Sequence, residues 1–233
     1  MRILGSKVSY GLLGLTAVAV LVSLVMIFIV VPTEATMGII QRIFYYHVPV
    51  AWVAFLAFFV VLIASILYLW KRKRKWDVIA SASAELGVIF TSLVLITGSI
   101  WAKPIWGVWW TWDARLTTSL VLWLIYVAYL MVRASIGEEE KAARFAAVVG
   151  IIGFVDVPIV ALAIQLWGTQ HPGAVIFEGG LAPVMLATLL ISLLAVTSLY
   201  ALLLVQRVSL RNDELRLDDI KRRIEMIREE GNG

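Results

Sequence analysis

No cysteine occurs in this chain of 233 residues. Disulfides, thiol nucleophiles, iron–sulfur clusters and zinc–thiolate sites are therefore excluded. Charge is scarce too: Asp, Glu, Lys and Arg make up 15% of the residues, against about 25% in a typical soluble domain. Histidine occurs only twice, at His47 and His171. What the chain has instead is apolar surface, with 61% of residues in the aliphatic and aromatic set and ten tryptophans. That balance rules out a soluble globular domain, a disordered segment and a nucleic-acid-binding module. It defines a polytopic membrane protein.

A helix rises about 1.5 Å per residue, so crossing about 30 Å of hydrocarbon takes about 20 apolar residues. Six stretches meet that length: Tyr10–Val31, Val48–Trp70, Glu85–Trp101, Leu116–Arg133, Ala146–Trp167 and Leu181–Val205. Their runs lack the period-two alternation of barrel strands, so the expected fold is all-α with six transmembrane helices. The first run is well beyond the roughly 7–15 residues of a signal-peptide core and reads as a retained anchor. Of the 20 Lys and Arg residues, only Arg42, Lys103 and Arg115 fall in the connections after spans one, three and five. The others lie at the N-terminus, in the KRKRK run at 71–75, between Arg133 and Arg144, and in the tail. The positive-inside rule then puts both termini in the cytoplasm and Pro32–His47, Ala102–Arg115 and Gly168–Gly180 outside. Residues 1–205 form the six-span membrane unit and residues 206–233 a cytoplasmic tail. In the tail, Leu210, Leu217, Ile220, Ile224 and Ile227 mark one face of an amphipathic helix, which either lies on the membrane or contacts a partner subunit.

The outer connections carry the unusual residues. Five tryptophans crowd into the segment WAKPIWGVWWTWDARLT, which begins at Trp101. Pro104 and Gly107 are expected to break span three. A short helix over Trp106–Asp113 would then place Trp106, Trp109, Trp110 and Asp113 on one face, with Trp112 beside them. An interfacial aromatic belt accounts for one or two tryptophans per helix end. So dense a set, with a carboxylate, reads better as a platform for a flat aromatic ligand.

Both histidines fall in outer connections on either side of this segment. Neutral imidazole is a common transition-metal ligand, yet two histidines make a poor zinc site, which usually takes three or four protein ligands. A haem iron needs only axial ligands from the protein, because the porphyrin supplies four. Arg42 and Arg115 either pair with anionic propionates at the porphyrin edge or snorkel at the interface.

The run WGVWWTWD, from Trp106 to Asp113, resembles the tryptophan-rich WGxxWxWD signature of haem-handling proteins in cytochrome c maturation. Six spans, one histidine on each side of the signature and the chain length are similar to the haem exporter protein C (CcmC) family, over about Phe44 to Leu204. Larger relatives of the CcmF and CcsA type share the tryptophan motif but have more spans and further histidines. The resemblance implies a haem b site on the periplasmic face of the bacterial inner membrane, bound without a covalent link. His47 and His171 would be the axial ligands and Trp106–Asp113 would hold the macrocycle. It also implies delivery to the haem chaperone CcmE, assistance from CcmD, and association with CcmA and CcmB of an ABC-type complex. The resemblance implies a haem transfer or export protein and not an enzyme; the chain has no phosphate-binding glycine-rich loop, so any ATP hydrolysis would belong to a partner.

Two other functions fit parts of the pattern. In one, the protein is a transporter or channel subunit for another solute, with the tryptophans as an outer gate. In the other, it is a passive scaffold for an ABC complex. Transporters usually carry intramembrane polar residues or broken helices, and here only Asp156 and Pro158 qualify. Asp156 is expected either to be protonated or hydrogen-bonded to a neighbouring helix, or to line a haem or proton route.

Overall fold

The computed structural model describes residues 7–169, 171 and 180–231. The N-terminal Arg2 and most of the Gly168–Gly180 connection lie outside those residues. Among the described residues, seven α-helices follow one another. They are α1 (Lys7–Val25, prolonged by a π turn at Met26–Val30), α2 (Phe44–Lys71, entered through a 3-10 turn at Ile39–Ile43), α3 (Arg74–Trp106), α4 (Ala114–Ser135), α5 (Glu139–Gly153), α6 (Asp156–Trp167) and α7 (Pro183–Gly231). Six helical stretches are long and apolar enough to cross a membrane, with α5 and α6 forming one of them.

Three boundaries differ from those expected, each for a local reason. The third span begins at Arg74 rather than Glu85. Hydropathy understates this part because Ala80, Ser81, Ala82, Ser83 and Ala84 are small or polar, yet all are buried. Small side chains let helix backbones approach closely. Ser83 is satisfied inside the bundle, donating to the Ala57 carbonyl at 2.7 Å and sharing a 2.8 Å bond with the Tyr200 hydroxyl.

The fifth span is broken rather than merely bent. Pro158 has no N–H to offer the Phe154 carbonyl, and α5 ends at Gly153. The Phe154 carbonyl accepts instead from the Val157 N–H at 3.1 Å, and α6 restarts at Asp156. Asp156 is 9% exposed, and its Oδ2 has no hydrogen-bond partner among the described residues. The third difference is at the C-terminal end, where α7 runs across Val205 without interruption.

α2 packs against α3, α5 and α7 and forms the spine of the bundle. At its middle, Phe58 stacks on Tyr126 with ring centroids 3.7 Å apart. Gly87 of α3 lies so close that a Cβ there would come within 2.4 Å of Phe58. The basic connections meet at one end of the bundle. Arg74 forms a two-pronged pair with Glu139 at 2.9 and 3.0 Å and reaches Asp219 at 3.6 Å. Arg133 grips Asp77 with both guanidinium nitrogens. Glu85 of α3 pairs with Arg207 of α7. The opposite end collects the first turns of α2 and α4, the last turns of α3 and α6, and both histidines.

Candidate functional site

The WGVWWTWD segment is not a helix. Gly107 takes a left-handed conformation (φ +77°) and its N–H caps the Lys103 carbonyl at 3.0 Å, closing α3 just after Trp106. Pro104 is accommodated inside the last turn and stops nothing. Asp113 opens α4 as its N-cap, accepting from the backbone N–H groups of Arg115 at 3.0 Å and Leu116 at 3.2 Å. Its other oxygen accepts from the Thr111 hydroxyl at 2.6 Å. With a C-cap at Gly107 and an N-cap at Asp113, the residues between have no room for a helix of their own. The expected helical face shared by Trp106, Trp109, Trp110 and Asp113 therefore does not exist, and Asp113 serves as a cap.

A partly open, largely apolar cavity occupies this end. Of the residues singled out from sequence, His47, His171, Trp106, Trp110 and Arg115 line it. Trp109 and Trp112 do not; they are 57% and 76% exposed and turn outward. Lys103 lies 5.9 Å over the Trp109 ring. Arg42 sits outside the lining too, with its guanidinium 5.9 Å over the Phe28 ring. The tryptophan cluster is thus divided, one part walling a cavity and the other facing out as a belt would.

His47 is buried in the first turns of α2, and His171 follows α6. Although 124 residues separate them in sequence, their ring centroids are 6.4 Å apart. An imidazole binds a transition metal at about 2 Å, so two rings on opposite sides of one metal have centroids about 6 Å apart. Among the described residues no group of three or more His, Asp or Glu side chains converges for a metal ion. A metal held here would therefore bring further ligands with it.

Four residues missed by the sequence analysis shape the pocket. Trp101 packs edge-on to His47 at 5.8 Å. Gly98 makes room for the imidazole, since a Cβ there would lie 3.1 Å from His47 Cε1. Met37 reaches the lining from the Val31–Gly38 connection. That turn is fixed by the Glu34 carboxylate, which accepts from the backbone N–H groups of Met37 and Thr36. The Met37 bond in particular holds the Glu34 carboxyl below the usual carboxylate range.

Thr97 is the fourth. Its hydroxyl donates to the Leu93 carbonyl at 2.7 Å, and its oxygen lies 2.9 Å from His47 Nδ1. Its only proton is committed to Leu93, so the threonine oxygen accepts and Nδ1 donates. The proton is thereby placed on Nδ1 and a lone pair on Nε2, the form an imidazole needs to bind a metal through Nε2. The one available sequence signal was the Thr97-Gly98-Ser99 interruption of an apolar run.

Two indole N–H groups of this wall, those of Trp101 and Trp110, are buried without a hydrogen-bond partner among the described residues. Arg115 lines the same cavity and forms no ion pair with a described carboxylate. Together they make a cationic, donor-rich edge suited to an anionic acceptor group on a ligand.

Fold and site together define a polytopic helical membrane protein with a partly open, aromatic-lined cavity at one end of its bundle. The family model described as "Heme exporter protein C" matches residues 2–223. Heme exporter protein C of Bradyrhizobium diazoefficiens is 37% identical, over 79% of this chain and 71% of its own length. The protein of the same name from Escherichia coli (strain K12) is 34% identical over 76% of this chain and 72% of its own. A putative cytochrome c biosynthesis ccmC-like mitochondrial protein of Marchantia polymorpha is 34% identical over 71% and 68%. The chain belongs to the haem exporter protein C family. Membership makes it a membrane transport and maturation component, not a catalytic enzyme.

Proposed function

We propose that this protein holds haem b, non-covalently, in the cavity at the outer end of its bundle and passes it to an acceptor for c-type cytochrome assembly. His47 and His171 bind the iron from opposite sides, while Trp106, Trp110 and Trp101 pack on the macrocycle. Arg115 and the two orphan indole N–H groups receive the propionates. The observation that carries this reading is the 6.4 Å separation of the two imidazoles inside an aromatic cavity. Two protein ligands suit an iron that arrives with four of its own.

On the Lys/Arg distribution the cavity faces the periplasm, with the protein in the bacterial inner membrane. The acceptor is a CcmE-like haem chaperone, and CcmA, CcmB and CcmD complete the assembly. Within the protein, Thr97 keeps the proton off Nε2 of His47, and the tryptophan wall excludes water from that side of the ligand.

The test is a haem titration of the purified protein, read by optical and resonance Raman spectra, followed by mixing with the apo-acceptor. A six-coordinate bis-imidazole spectrum that moves to the acceptor is expected; a Soret band at saturating haem that stays identical to that of free haem would overturn the reading. The tautomer argument adds a graded result. Thr97→Val should weaken haem binding by about 10–100-fold, as lost support of a ligand histidine typically does, whereas Thr97→Ser retains it. Equal affinities for the two variants would remove Thr97 from the site.

A further inference from the structure

Beyond Arg207, α7 follows the end of the bundle as far as Asp219 and then continues as an exposed helix with one apolar seam. Leu215 is buried and Asp219 reaches back to Arg74, so these two mark the side toward the body. Leu217, Ile220, Ile224 and Ile227 lie on the far side, 57%, 54%, 60% and 69% exposed. At 3.6 residues per turn the four share one stripe, with Arg216 and Arg223 along one border and Lys221 and Arg228 along the other. Lys221, Arg223 and Arg228 form no ion pair among the described residues, and Arg216 has only Asp213 at 3.8 Å. Asp218, Glu225 and Glu229 fall on other faces.

Three kinds of occupant could cover an apolar seam between two rows of cations. A membrane surface is disfavoured by the helix itself. No Pro or Gly occurs between Pro183 and Gly231, so α7 has no hinge with which to lie down. Asp219 reaches Arg74 in the first turn of α3, so the seam starts at that end of the bundle and continues outward from it. A second copy of this chain is disfavoured by charge, because its own borders are basic and would set cation against cation. An amphipathic helix with Asp or Glu bordering its apolar seam satisfies both features.

We propose that residues 216–228 are a docking surface for an acidic-flanked α-helix of a partner protein, on the cytoplasmic side if the Lys/Arg distribution sets topology. This does not depend on the haem reading. The test uses the full-length protein in nanodiscs of zwitterionic lipid. It is titrated with two synthetic helical peptides that share a leucine seam but carry Glu or Lys along its borders. The Glu peptide is expected to bind at least about tenfold more tightly. The I220D/I224D variant should lose that binding, and K221E/R223E/R228E should reverse the preference. All five positions are exposed, so the fold is unaffected, which an unchanged unfolding midpoint verifies. Indifference of binding to peptide charge or to these substitutions overturns the proposal. So does an Ile224→Cys disulfide between two copies, or shielding of a fluorophore at position 224 by anionic vesicles in preference to the Glu peptide.

Discussion

Replacing His47 with alanine is expected to abolish the six-coordinate haem spectrum and to weaken haem binding by more than about 100-fold. That lower bound is set by the roughly 10–100-fold lost when only the support of a ligand histidine is removed. His171→Ala should also yield a five-coordinate species. For His47 the size of the loss follows from how its ring is held. His47 sits on a long helix, is 8% exposed, is bonded through Nδ1 to Thr97 and is flanked by Trp101 and Gly98. The double variant should leave the Soret band of added haem at its unbound position, and added free imidazole should partly restore the spectrum of each single variant. Coordination number by resonance Raman is the deciding measurement. Single variants that keep a six-coordinate bis-imidazole signature would disprove axial ligation by these residues.

Arg133→Ala should produce the largest loss of stability of any single change at the opposite end of the bundle, about 3–5 kcal/mol. Asp77 lies in the first turn of α3 and is 4% exposed, and its partner Arg133 in the last turn of α4 is 12% exposed. Each charge also suits its helix dipole, the carboxylate near an N-terminus and the guanidinium near a C-terminus. Removing the arginine leaves a buried carboxylate with neither counter-charge nor water. Replacing both residues by apolar ones, as in Asp77→Leu with Arg133→Met, should recover most of the loss, since desolvation largely offsets the attraction in a buried pair. Denaturant midpoints in detergent report both effects. The haem spectrum of folded Arg133→Ala should be unchanged, because the pair lies at the other end of the molecule. A midpoint shift for Arg133→Ala no larger than for a surface arginine would show that the pair contributes little.

Arg133 illustrates what a linear reading misses. By position it counts among the basic residues expected to set topology, and nothing near it in sequence names Asp77 as its partner. Trp109 and Trp112 show the same limit within the motif, since composition groups them with Trp106 and Trp110 while the chain's path sends them outward. The helix expected over Trp106–Asp113 failed for a more local reason. Gly107 and Asp113 are themselves a stop and a start signal, and together they leave no helical residues between them.

Apolar run length alone determined that the chain crosses a membrane six times, because a helix must satisfy its own backbone in lipid and needs a fixed length to do so. The placing of Lys and Arg sorted the connections into two sets for a similarly local reason, and Pro158 marked where a span would fail. Only the tertiary structure decided which side chains meet. It brought His47 and His171 to 6.4 Å, set Thr97 behind one imidazole, and moved Arg42 and Asp113 out of the cavity. Those outcomes depend on how helices pack across more than a hundred residues, and packing geometry leaves no periodic trace along the chain.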